Sequence, residues 1–121
     1  MFIKSLAECQ EFISGDGCTL RELLHPDKAD IKIRYSLAHA KVGIGEKTMP
    51  HKLRTSEVYY IISGSGLMHI GREVRNVTAH CAIYIPPGDT QSIENTGNSE
   101  LEFLCIVDPA WRKSDEIVLG T

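Results

Sequence analysis

The stretch Gly45–Gly66 reads GEKTMPHKLRTSEVYYIISGSG, and a second block, His80–Asn95, reads HCAIYIPPGDTQSIEN. Strand residues two apart share a face, so His51 and Leu53 point the same way, and Glu57, Tyr59 and Ile61 share a parity on SEVYYII. In the second block Pro86, Pro87 and Gly88 end one strand and begin another, on which Gln91, Ile93 and Asn95 share a face. A closed sheet gathers these sets, so that Gln91 meets His51 and Glu57 across the interior.

Around these blocks, short strand-like runs recur after residue 30, each bounded by Gly, Pro, Asn or Asp: DIKIRYSLAHAKV, SEVYYII, GLMHI, CAIYI, QSIEN and ELEFLCIV. No stretch between them is long enough for a crossover helix, which predicts an all-β fold of antiparallel sheets, a sandwich or closed barrel. In the first run Ile31, Ile33, Tyr35 and Leu37 alternate with Lys32, Arg34 and Ser36, the period of a strand with the first set on a core. His39 shares that inward parity but so does Lys41, which implies a bulge or register change between them.

Ser5 three before Glu8, with Leu6, Cys9, Phe12 and Ile13 on one stripe, predicts a short N-terminal helix over residues 5–13. TLRELLHP is read as an edge strand stopped before Pro26. One domain is expected, with residues 1–30 as an extension packed on the outside, 31–107 as the barrel and 108–121 as a tail whose Trp111 covers an apolar patch.

A length of 121 residues, 42% apolar and 24% charged, suits one globular core. A net charge of −3 without a basic cluster argues against nucleic acid as a partner. Lys4, Glu8 and Glu11 interrupt the apolar residues of MFIKSLAECQEF, and no window approaches a membrane span, so the expectation is a cytoplasmic protein with no membrane partner. Cys9, Cys18, Cys81 and Cys105 show no CxxC or short Cys/His spacing and are read as reduced, buried or inert thiols.

The spacing from Gly45 is five residues to His51, one to Leu53, three to Glu57 and six to Gly64, and Pro86, Gly88 and Asn95 follow in register. In this the chain resembles the cupin superfamily of small single-domain barrels, over roughly residues 31–107, with Leu53 and Gln91 where that family has histidines and His80 where it has glycine. The resemblance implies an antiparallel jelly-roll barrel holding a divalent ion. Carried over residue by residue, it leaves His51, Glu57 and Gln91 as metal ligands. Leu53 cannot ligate, and a neutral amide oxygen is an indifferent donor, so the ion, zinc, manganese, iron or nickel, is held weakly or not at all.

Glu57 and Tyr59 are then the catalytic candidates, Glu57 as a base tuned by burial and oriented by His51. The implied function is small-molecule binding, with isomerase, epimerase or dioxygenase chemistry on a sugar or organic acid. The alternative is a non-catalytic metabolite-binding or sensing module whose metal site has degenerated. Since jelly rolls leave sheet edges, a homodimer is expected. Of the other polar residues, Asn95 is read as closing a turn, His39 as packed, His69 as surface, His80 as a turn residue, His25 as structural, and Arg54 as a solvated loop residue near the barrel mouth. Tyr35, Tyr84, Met49 and Met68 are read as core residues that can also line a pocket.

Overall fold

The computed structural model describes residues 1–120, and two antiparallel sheets dominate it. The strands are β1 (Phe12–Ile13), β2 (Thr19–Leu24), β3 (Ser36–Val42), β4 (His51–Leu53), β5 (Ser56–Ser63) and β6 (Ser65–Ile70). They continue with β7 (Glu73–Thr78), β8 (Ala82–Ile85), β9 (Gln91–Asn95), β10 (Leu101–Asp108) and β11 (Glu116–Val118). One sheet runs β1-β2-β3-β10-β5-β8 and the other β11-β4-β9-β6-β7. This is the all-β jelly roll expected from the sequence. No helix among the described residues is long and apolar enough to cross a membrane.

Alternate residues of the central strands fill the space between the sheets. Ile61, Leu101, Phe103 and Ile93 are fully buried, and Ala40, Val42 and Met68 pack with them. Gly64, the last glycine of the first motif, has φ +92°, and a Cβ there would lie 2.8 Å from the carbonyl of Glu100. Only glycine turns the chain from β5 into β6 at that point. His80 accepts a left-handed conformation at φ 74° in the turn before β8, in keeping with its place in the motif.

Four local expectations are corrected. Residues 5–13 make no helix. Leu6–Glu8 form one 3-10 turn, with the Ser5 amide and hydroxyl donating to Glu8 Oε1 at 3.1 and 2.8 Å, and Phe12–Ile13 then pair with β2 as a hairpin. The turn residues SGDG, Ser14–Gly17, reverse the chain before another helical turn can form.

The first long strand begins at Ser36, not near residue 31, and its parity is the reverse of the one expected. Ser36, Ala40 and Val42 are buried on the inner side, whereas Tyr35 is exposed. His39 and Lys41 share the outer face with Leu37, so β3 needs no bulge. Its ladder with β10 is unbroken from Val42↔Leu101 to Ser36↔Val107, and the irregularity lies in β2 between Glu22 and Leu24. The outer face of this sheet carries apolar residues as well, Leu37 among them, so the apolar positions near the start of β3 did not mark the inner side. TLRELL does form the strand expected of it.

Candidate functional site

Glu57 and Tyr59 project inward from β5, and Gln91 projects inward from the start of β9 in the facing sheet. The three are 7%, 3% and 1% exposed. The Tyr59 hydroxyl donates to Gln91 Oε1 at 3.0 Å, and Gln91 Nε2 donates to Glu57 Oε1 at 2.9 Å. One amide therefore ties a phenol to a carboxyl across the sandwich. The Tyr59 ring is fixed in turn against Phe103, with centroids 4.5 Å apart.

Burial pushes the Glu57 carboxyl up to about 8. The Gln91 hydrogen bond opposes the shift, and the nearby Asp16 and Glu116 carboxyls add to it. Around neutral pH this residue is largely a carboxylic acid, able to donate a proton as well as accept one. The Tyr59 hydroxyl is pushed well above its ordinary value, chiefly by burial.

The opposite wall starts from His51 on β4. Its Nδ1 donates to the Met49 carbonyl, an acceptor only, at 3.0 Å, and Nε2 lies 3.5 Å from Asp16 Oδ2, an ion pair when both ring nitrogens carry hydrogen. Asp16 is buried in the turn between β1 and β2, where its Oδ1 accepts from the Ser14 hydroxyl and from the Cys18 amide. The Met49 amide donates to the Asp16 carbonyl at 2.7 Å, which stitches this turn to the segment leading into β4. β11 adds the last piece, pairing Val118 with His51 and Glu116 with Leu53. The Glu116 carboxyl is raised by burial, lowered by His51 and raised again by Asp16.

Between the walls lies a cavity of about 330 Å³. Glu57, Tyr59, His51, Asp16 and Glu116 supply its polar groups, and Leu53, Leu20, Val107, Phe12 and Trp111 supply much of the apolar lining. Such a volume with few convergent polar groups suits a small organic ligand.

His51, Glu57, Tyr59 and Gln91 lie within one site, with Leu53 as a buried apolar wall. His51 does not hold Glu57; Gln91 does. Arg54 is not among the cavity's lining residues and is exposed. Trp111 lines the cavity instead of capping an outer patch. Tyr35 and Tyr84 are exposed, and Met68 is core. Asn95 closes a turn, donating to the carbonyls of Val42 and Ser99 and accepting from the Gly97 amide. His25 bonds the Trp111 carbonyl at 2.7 Å, and His39 sits 3.3 Å from Glu102 on the outer face. All four cysteines are unpaired, and Cys81 alone is not buried.

Asp16 and Glu116 are absent from the motif spacing. The signal available for them was an aspartate between two glycines, and a carboxylate opening the short apolar run EIV.

These residues do not fit a resident divalent ion. Leu53 is apolar, and the Gln91 oxygen already accepts from Tyr59 while its nitrogen donates to Glu57. Among the described residues no group of three or more His, Cys, Asp or Glu is arranged to hold a metal. A tightly held transition ion takes three or four good donors.

Comparison with known proteins agrees with the architecture. The family model described as a cupin domain matches residues 38–107. An uncharacterized protein of Methanocaldococcus jannaschii is 43% identical over 109 residues, covering 89% of this chain and 86% of its own length. The oxalate-binding protein of Thermotoga maritima is 39% identical over 71 residues, 58% of this chain and 59% of that one. Among solved structures, a predicted oxalate decarboxylase from Thermotoga maritima superposes with a TM-score of 0.76 at 27% identity, covering 90% of this chain and 99% of that one.

Proposed function

The chain belongs to the cupin domain family, and on that premise we propose that its cavity binds a small organic molecule and moves a proton on it through Glu57, without a resident metal. The observation that carries this reading is the Gln91 clamp, which fixes Glu57 between Tyr59 and the cavity and occupies the amide that a metal would need. A carboxyl raised to about 8 exists in both forms near neutral pH. As the acid it donates to a substrate carbonyl, and as the base it takes a proton from the adjacent carbon. Proton transfer of this kind belongs to isomerases and epimerases. Tyr59 and Gln91 orient the carboxyl, and Leu53 keeps water away from it. Four unpaired thiols are in keeping with a reducing compartment, the cytoplasm.

The test is solvent exchange. A panel of α-hydroxy ketones, α-amino ketones, keto acids and reducing sugars is incubated with the metal-stripped protein in D2O and followed by proton NMR. Exchange of the proton next to the carbonyl is expected for at least one compound and is lost in Glu57→Gln. Exchange that never exceeds that of the Glu57→Gln protein would move the assignment to a non-catalytic binding module.

The outer face of the six-stranded sheet supports a homodimer in the same proposal. Leu37, Ile106, Val58 and Tyr84 form one row across four strands, and Leu104 and Tyr60 lie in the next, with Ile62 following on β5. Tyr60, Ile62 and Tyr84 are 38%, 38% and 62% exposed, and among the described residues no layer covers them. A second copy meeting the same face gives an isologous pair. Sedimentation at micromolar concentration is expected to give a dimer that Tyr84→Lys with Ile62→Lys turns into a monomer. A monomeric wild type removes this part of the proposal.

A further inference from the structure

Three carboxyl side chains from distant parts of the chain face the same cavity: Asp16 from the first hairpin, Glu57 from β5 and Glu116 from β11. A fourth lining carboxyl, Glu22, is tied to Lys28 at 2.5 Å and leaves the set. Positive charge is scarce by comparison. Among the described residues no arginine lines the cavity, Lys113 is its one lysine and is exposed, and His51 is engaged with Asp16. Glu57 is over nine-tenths buried, bonded through Oε1, and its Oε2 has no hydrogen-bond partner among the described residues.

We propose that the ligand of this cavity carries a protonated nitrogen, an amine or amidine, seated among Asp16, Glu57 and Glu116, with an apolar body against Leu53, Val107 and Trp111. A cation draws Glu57 to its ionised form and lies beside the Asp16 and Glu116 carboxyls, and its N–H groups satisfy the free Glu57 oxygen. A dianion such as oxalate would meet three carboxyls without a guanidinium to hold it, so the oxalate chemistry in the relatives' names is not the chemistry of this pocket. The assignment rests on the cavity being the binding site proposed above.

The test compares isosteres that differ in charge: phenethylamine, 2-phenylethanol and phenylacetate, with oxalate as a fourth probe, titrated by calorimetry into the metal-stripped protein. Phenethylamine is expected to bind at least about tenfold more tightly than phenylacetate, with the alcohol between them, and to weaken with added salt. Glu116→Gln lowers amine affinity about fivefold and leaves the alcohol unchanged. Lys113→Glu, at an exposed position where folding is not at issue, raises amine affinity about twofold. Equal or tighter binding of phenylacetate or oxalate, failure of the amine to bind at about 10 mM, or indifference of amine affinity to Lys113→Glu would overturn the proposal. An anionic compound that exchanges deuterium through Glu57 would sink the amine assignment while leaving the proton-transfer reading standing. Amine binding without any exchange would do the reverse.

Discussion

Glu57, Tyr59 and Gln91 stand on β5 and β9, strands that are paired on both sides within their sheets. Asp16 and Glu116 stand on a hairpin turn and on an edge strand, near the two ends of the chain. The first group closes its own hydrogen bonds and is held by packing against Phe103 and the core. The second is held by a few bonds between separate segments: Met49 to Asp16, His25 to Trp111, and the three pairs of β11 with β4. One wall of the cavity is thus fixed by core packing and the other by bonds between segments near the chain ends, where local opening costs least. Substitutions in the central wall are expected to cost folding energy and those in the terminal wall to change access and charge.

The largest effect comes from pH. The Glu57 carboxyl moves from an ordinary 4.5 to about 8 on folding, so the native state holds a proton that the unfolded chain releases between those values. Its contribution is full below about 4.5 and is lost as pH rises through about 8, which makes the protein less stable toward alkaline pH by on the order of 5 kcal/mol. Urea unfolding from pH 5 to 9 is expected to show this decline in the wild type and a flattened curve in Glu57→Gln. Parallel curves for the two proteins would mean that Glu57 is not the buried acid described.

Next is Gln91→Leu. Replacing the amide leaves the Tyr59 hydroxyl and the Glu57 carboxyl without their partner in a buried site, a cost of about 3 kcal/mol from two unsatisfied groups. Chemical denaturation at pH 6 measures it. A loss below about 1 kcal/mol, the scale of a typical single hydrogen bond, would indicate that water replaces the clamp and that the central wall is no more rigid than the terminal one.

The same contrast explains what was legible in the sequence. The convergence of Glu57, Tyr59 and Gln91 was legible because strand parity and two spaced motifs are enough to aim side chains from central strands. Asp16 was missed because an aspartate in SGDG reads first as a turn former, and its approach to His51 depends on where the hairpin docks. Glu116 was missed because a three-residue edge strand in a polar tail has too little periodicity to separate from loop. The parity of β3 failed for another reason. Both of its faces carry apolar residues, Ala40 and Val42 inward and Leu37 outward, so the outer face of the sheet had to be known before the inner one could be chosen.

Restoring metal ligands sharpens the comparison at a smaller scale. Leu53→His alone is expected to change zinc affinity little, because Gln91 still engages both Tyr59 and Glu57. With Gln91→His the clamp is removed and three imidazoles with one carboxylate share the central wall, so affinity rises about tenfold or more, about 1.4 kcal/mol, beyond the sum of the single changes. Zinc titration into the four proteins reads this directly. Additive single effects would mean that the two positions do not reach one ion.

The smallest effect is expected at Arg112, which pairs with Asp27 through two hydrogen bonds of 3.0 and 2.9 Å at the start of the C-terminal segment. Both partners are exposed, so solvent and salt screen the pair, and an exposed ion pair spends side-chain entropy to hold its geometry. The buried anchors of the same segment, His25 to the Trp111 carbonyl and the β11–β4 ladder, remain when Arg112 is shortened. Arg112→Ala should therefore leave the urea midpoint unchanged within error and raise amide exchange only for the residues next to it, not at Ile117 or Val118. Faster exchange along the whole of β11 would mean that the exposed pair, not the buried anchors, holds the terminal wall in place. Ligand access would then depend on ionic strength as well as on the charge of the ligand.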